Sequence, residues 1–167
     1  MSPLDNPIVR RFIEEAGNTT QSLGVGRVIG QIFAYLYFSD EPRGLDDMKD
    51  ALGISKGSAS MGVRQLEQWG AVQRVWIKGD RKDYYMANDY FGQIVRNIAT
   101  DLMGKRLASL SQSLDAAEAQ LNSSSSNNQQ PITDNGDFLR SRIARLRDFQ
   151  EKVNRTWNNP IVKMMLK

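Results

Sequence analysis

Six positive residues and two negative ones lie between Ser55 and Lys82: Lys56, Arg64, Arg74, Lys78, Arg81 and Lys82 against Glu67 and Asp80. Among them sit the short hydroxyls of Ser58 and Ser60, the amide of Gln65 and the thioether of Met61. Ammonium and guanidinium groups hold phosphate oxygens, and an arginine can also present two parallel donors to one guanine. Hydroxyls reach phosphates or base edges, and a methionine can lie against a thymine methyl. Such a set recognises a polyanion and its base edges; it does not break bonds. The sequence has no cysteine and no histidine, so thiolate metal sites, disulfides and the usual general base are all missing. No nucleophile–base pair or metal cluster is visible. An enzyme is disfavoured, and no cofactor is expected.

These side chains need an element to present them. In a helix advancing about 100° per residue, Gly57, Ser60, Met61, Arg64 and Gln68 gather opposite Ala59, Val63 and Leu66. Ser58 and Gln65 lie on one flank and Lys56 on the other. Glycine and serine cost a surface helix up to about 1 kcal/mol each relative to alanine. That loss is intelligible if the face must fit closely into a DNA major groove, with phosphate drawn to the helix N-terminus. The plain alternative is a surface helix with a poor outer face, held by packing. Before it, LDDMKDALG reads as a two-turn helix in which Asp46 can cap and Gly53 closes. Ser55 then caps the next helix, so the two form a helix-turn-helix signal. After Trp69-Gly70, AVQRVWI and DYYMA read as strands around KGDRK, with Gly79-Asp80 fitting a two-residue hairpin turn. Lys78, Arg81 and Lys82 fall at its tip. Helix-turn-helix followed by a basic hairpin is the order of a winged helix.

The flanks read as helices. Asn6-Pro7 opens one with Ile8, Phe12 and Ile13 on its apolar side, and a second covers Val25 to Phe38. GVGRVIG within it resembles a dinucleotide fingerprint. Its third glycine is one position late and TTQSL before it is no strand, so small residues allowing close helix packing is the better reading. From Tyr90 a long helix carries Phe91, Ile94, Val95, Ile98 and Leu102, then Leu107, Leu110, Leu114, Ala117 and Leu121 at coiled-coil spacing. A serine- and asparagine-rich stretch interrupts it and reads as a loop. Leu139, Ile143, Leu146, Phe149, Val153 and Trp157 define a final amphipathic helix, followed by the apolar tail IVKMML. That helix is basic, with Arg140, Arg142, Arg145 and Arg147. Solvated arginines whose stems cover apolar surface are the plain reading, and direct DNA contact is the alternative. The expected fold is mainly α with a small β-hairpin: a winged helix-turn-helix with long dimerisation helices. Residues 1–23 form a helix joining the dimerisation region, 24–89 the DNA-binding domain, and 90–167 a helical dimerisation region with a flexible loop at 122–137.

The segments YFSDEP, LDDMKDALGISK, GVRQLEQW and GDRKDYYMA resemble the GbsR-like branch of the MarR group of bacterial and archaeal regulators. The resemblance runs from Gly26 to Phe91, roughly two fifths of the chain. It implies a dimeric winged helix that represses genes for making or importing osmoprotectants such as glycine betaine. By position it makes Ser55 to Trp69 the recognition helix and Lys78 to Lys82 the wing. In Asp80-Arg81-Lys82 the acid would then brace the loop and an arginine enter the minor groove. The long C-terminal region with its serine-rich break departs from typical members.

The expected function is therefore a sequence-specific DNA-binding transcriptional regulator, a homodimeric repressor. Lys56, Lys78 and Lys82 would hold phosphates, Arg81 the minor groove, and Ser58, Ser60, Met61, Arg64 and Gln65 would read sequence. An effector such as betaine or choline would need aromatic faces around a quaternary ammonium. Tyr35, Tyr37, Trp76, Tyr84, Tyr85 and Tyr90 are the candidates. The alternative is a winged-helix protein-interaction module with non-specific DNA binding. No apolar run approaches the ~20 residues that span a bilayer, and the N-terminus lacks a secretion signal, so no membrane partner and a cytoplasmic location are expected.

Overall fold

Asn6 and Pro7 start the first long helix as the sequence predicts: the Ile8 N–H donates to Asn6 Oδ1 at 2.9 Å. In the computed structural model, which describes residues 3–126, 136–157 and 159, the order is α1 (Pro7–Ser22), α2 (Arg27–Tyr37), β1 (Arg43–Gly44), α3 (Leu45–Leu52) and α4 (Lys56–Gln68). Then come β2 (Val72–Val75), β3 (Tyr84–Ala87), α5 (Phe91–Ser126) and α6 (Gly136–Trp157). The chain forms two compact units, Met1–Asn97 and Ile98–Lys167, with α5 running through the boundary. Among the described residues no helix is long and apolar enough to cross a membrane.

In the first unit α2 is the centre. Its sequence RVIGQIFAYLY is apolar on almost every side, and such a helix belongs inside. Ile32, Ala34, Tyr35 and Leu36 are buried, and α1, α3, α4 and β3 all pack on it. The contact with α1 is made possible by small residues. A Cβ on Gly30 would stand 2.3 Å from both the Ala16 carbonyl oxygen and Thr20 Oγ1. Of the glycines in GVGRVIG, Gly30 thus provides close helix packing, while Gly24 and Gly26 take positive φ in the turn before α2. The face of α1 differs from the expected one: Ile13 is buried, whereas Ile8 and Phe12 are 66% and 56% exposed. The reason is that α1 meets α2 along Ile13 and Gly17, which turns Ile8 and Phe12 outward. Within one copy, α1 belongs to the compact unit that holds the winged helix.

The helix-turn-helix closes much as the sequence indicates. Gly53 takes the left-handed conformation (φ 64°) that its position requires, and Ser55 Oγ accepts the Ser58 N–H at 3.0 Å. Asp46 does not cap α3; Gly44 occupies that position, and Asp47 Oδ2 accepts the Gly44 N–H at 2.7 Å. The sheet is three-stranded and antiparallel in the order β1-β3-β2, one strand more than the hairpin expected. Val75 pairs with Tyr84, so residues 76–83 form the wing loop and a two-residue Gly79-Asp80 turn is not what joins the strands.

In the second unit the leucine seam of α5 is in place: Leu114 is buried, and Leu107, Leu110, Ala117 and Leu121 are half-buried. The α6 face differs from the expected stripe. Ile143, Arg147, Gln150, Val153, Asn154 and Trp157 are its covered side, so three members of the expected stripe are covered while Leu139, Leu146 and Phe149 are exposed. Arg147 explains the rotation, because it pairs with Asp115 at 2.7 Å and Glu118 at 3.0 Å on α5. Helix occupies residues 122–126 and 136–137 of the expected loop; the rest of that loop and the tail IVKMML lie outside the described residues.

Gly30→Ala is expected to lower stability by about 1–3 kcal/mol, because its methyl must displace α1 backbone. Urea unfolding followed by circular dichroism should show a lower midpoint at unchanged slope.

Candidate nucleic-acid interface

α4 is seated on α2 by a glycine. A Cβ on Gly62 would come within 2.6 Å of Ile32 Cδ1, so a larger residue there would require the end of the Ile32 side chain to shift. Ala59, Val63 and Leu66 fill the same contact and are buried. The opposite side is open: Met61 is 74% exposed, and Gly57, Arg64 and Gln68 are exposed with it. Ser58, Ser60 and Gln65 are half-buried. Ser58 Oγ is 2.9 Å from the capping hydroxyl of Ser55, and the Gln65 amide donates to Gln68 at 3.1 Å. Of the expected reading residues, Ser60, Met61 and Arg64 thus carry no such side-chain hydrogen bond among the described residues.

The wing is braced by one carboxylate. Asp80 Oδ1 accepts the Lys82 N–H at 2.9 Å, and Oδ2 accepts the Tyr84 hydroxyl at 2.7 Å. The loop backbone is also tied by the Asp80 N–H donating to the Ile77 carbonyl at 3.1 Å. These bonds hold the Asp80 carboxyl below the usual carboxylate range, the Lys82 N–H first and the Tyr84 hydroxyl second. The same bond to Asp80 raises the Tyr84 phenol. Lys78, Arg81 and Lys82 are left exposed around the brace.

Not every cation of the basic stretch faces outward for a partner. Arg74 lies 3.2 Å from Asp83 and 3.7 Å from Glu67, with its guanidinium 5.6 Å from the centre of the Tyr85 ring. It ties the wing to α4. Lys56 pairs with Asp46 at 2.8 Å, a residue given no such partner by the sequence reading. An open cleft of about 300 Å³ gathers Lys56, Arg81 and Lys82 with Asp46, Asp83 and Tyr84 where α3, α4 and the wing converge. Lys78 does not line it. The signals for Asp46 and Gly62 were weak, since an acid in a first helical turn and a glycine in a small-residue helix both have ordinary explanations.

The six aromatic candidates for an effector do not form one cage. Tyr35 and Tyr85 are core residues at 3% and 4% exposure, Trp76 is 82% exposed on the wing loop, and Tyr84 is held by Asp80. Tyr90 is also exposed. Tyr37 alone has ring neighbours, Phe33, Phe38 and Phe91.

No protein-family model matches the chain. A solved structure described as a transcriptional regulator superposes with a TM-score of 0.59 at 24% identity, covering 96% of each chain. The chain has a winged helix-turn-helix fold with long C-terminal helices. Its sequence relatives have the same character. The HTH-type transcriptional regulator MmpR5 of Mycobacterium tuberculosis is 30% identical over 80 residues, 47% of this chain and 48% of that protein. The HTH-type transcriptional repressor GbsR of Bacillus subtilis is 31% identical over 85 residues, 51% of this chain and 47% of that one. The chain spans about half the length of these curated relatives. GbsR is thus one of several distant relatives of this winged helix, each matched over about half its length.

In this winged helix the Asp80 carboxyl is expected to titrate below an ordinary aspartate in carbon-detected NMR. Tyr84→Phe should move that midpoint upward. An ordinary midpoint in the unaltered protein would show that the brace does not form in solution.

Proposed function

We propose that this protein is a sequence-specific DNA-binding transcriptional regulator acting as a homodimeric repressor. The observation that carries the reading is the open face of α4, with Met61 and Arg64 outward, beside a wing loop whose cations Lys78 and Arg81 are held out by the Asp80 brace. Arg64 would read a guanine in the major groove, Met61 a thymine methyl, and Arg81 the minor groove. Ser60 completes the reading face. Ser58 and Gln65 support it from within the helix, and Lys56, Lys78 and Lys82 meet phosphates. Two copies would set their recognition helices in successive major grooves, roughly 34 Å apart or at another spacing set by the dimer.

Pairing of two copies is supported separately by each unit. In the first, Ile8 and Phe12 on α1 and Phe91 and Val95 on α5 are exposed, and Phe12 stacks toward Phe38 at 5.6 Å. In the second, Leu139, Leu146 and Phe149 are exposed on α6. Apolar side chains in such numbers mark an interaction surface. Two arginines of α6 are engaged within the second unit, Arg147 by its pairs with α5 and Arg142 by the Phe138 ring 4.9 Å away, while Arg140 and Arg145 are exposed. The repressor part of the reading draws on the names of the Bacillus subtilis relatives GbsR and OpcR, both HTH-type transcriptional repressors.

Control by betaine or choline finds no support in the scattered aromatics. Calorimetry with either compound at millimolar concentration is expected to show no binding heat. Heat abolished by Tyr37→Ala would overturn that expectation.

The direct test is fluorescence anisotropy on DNA from upstream of the protein's own gene, with competitor DNA and a salt series. Arg64→Ala is expected to lose about 1–3 kcal/mol of discrimination at one base position, while Arg81→Ala weakens binding. Equal weakening by Arg64→Ala on all sequences would reject its reading role. Weak binding alike on every duplex would favour a protein-interaction module.

A further inference from the structure

Two neighbouring acids open α3, and only one of them has a structural task. Asp47 accepts the Gly44 N–H at 2.7 Å and so closes the start of the helix. Asp46 is directed instead to α4, where its Oδ1 lies 2.8 Å from the Nζ of Lys56. The pair is open to solvent, with 61% and 49% of the two side chains exposed, and such pairs add little to folding stability. Its position is what distinguishes it. Asp46 borders the cleft that also takes in Arg81 and Lys82, and its carboxyl is held below the usual range by the Lys56 hydrogen bond and charge and, more weakly, by Lys82. A carboxylate therefore stands among three cations at the junction of recognition helix and wing.

We propose that Asp46 is an internal competitor of nucleic-acid phosphate, holding Lys56 and partly neutralising Lys82 until a duplex displaces it. The inference rests on the DNA-binding reading above and concerns how strongly that surface binds. A phosphate oxygen needs the same ammonium that Asp46 occupies, so Lys56 must leave its partner before it can contribute. The carboxylate then remains as a like charge beside the backbone it has yielded to. Both effects act through phosphates and not bases, so they weaken binding on every sequence alike and lower the number of counterions released. Asp46 thus sets the baseline affinity, while Met61 and Arg64 set the address.

The test compares Asp46→Asn with the unaltered full chain on two duplexes, one from upstream of its own gene and one shuffled at equal length. The variant is expected to bind both roughly three- to tenfold more tightly at low salt, with the salt slope steeper by about one per bound copy and the advantage shrinking as salt rises. Asp50→Asn removes an equal charge from the same helix, at a residue 2.9 Å from Lys49, and should leave both quantities nearly unchanged. Lys56→Gln should cost more affinity in the Asp46→Asn background than alone, because only there is the lysine free. Thermal melting should show all three single variants folded. Unchanged affinity and slope for Asp46→Asn, an equal gain from Asp50→Asn, or strictly additive effects of Asp46→Asn and Lys56→Gln would each overturn the proposal while leaving DNA binding in place. Absence of salt-dependent binding by the unaltered protein on either duplex would instead overturn the underlying reading, and this proposal with it.

Discussion

The seating of α4 on α2, where Ala59, Val63 and Leu66 are buried and Gly62 meets Ile32, underlies most of what the molecule presents to a partner. α2 is apolar on almost every side and so must be covered on several of them. On one side α1 reaches it through Gly17 and Gly30, and on another α4 reaches it through Gly62. In both places a single methyl group would collide with its neighbour. The helix that carries Met61 and Arg64 is consequently not free to roll on its support. Small residues on the inner face fix its position, and small residues on its outer face leave room beyond it.

Charge is distributed with a similar division of labour. Arg74 lies in the middle of the basic stretch yet serves Glu67, Asp83 and the Tyr85 ring, joining wing and helix. Asp80 is the only acid in the wing loop before Asp83, and it serves the loop's own backbone and Tyr84. Arg147 does comparable work in the second unit, between α5 and α6. What remains outward around α4 and the wing, Arg64, Lys78, Arg81 and Lys82, stands on a frame made by other charges. An electrostatic surface of this kind is only as ordered as the internal pairs beneath it.

Local signals in the sequence carried far. Asn6-Pro7, Gly53 and Ser55 act through their own backbone within a few residues, so the starts of α1 and α4 and the close of α3 could be read directly. The inward row Ala59, Val63, Leu66 has helical period and needs nothing else. Failures came where a distant partner decides. β1 is only Arg43–Gly44, too short for alternation, and exists because β3 offers an edge. The roll of α1 depends on α2, which buries Ile13 and turns away Ile8 and Phe12. On α6, the ion pairs of Arg147 outweigh the apolar stripe in choosing the covered side. The wing loop is longer than Gly79-Asp80 suggested because Asp80 bonds to Lys82 and Tyr84, a closure no dipeptide preference describes. The lysine at position 56 and the acid at 46 are separated by a whole helix and a turn, and only the fold brings them together.

Absence of histidine and cysteine has an effect beyond the chemistry it forbids. Every resolved shift around this surface moves a group away from neutrality: Asp46 and Asp80 downward, Lys49, Tyr84 and Tyr85 upward. With no histidine and no cysteine, the sequence lacks the side chain that ordinarily changes charge between about pH 5 and 8. Dissolved ions act on the surface differently, since the Debye length contracts from about 10 Å at 0.1 M to about 3 Å at 1 M ionic strength. The reach of the exposed charges around α4 and the wing therefore shortens as salt is added.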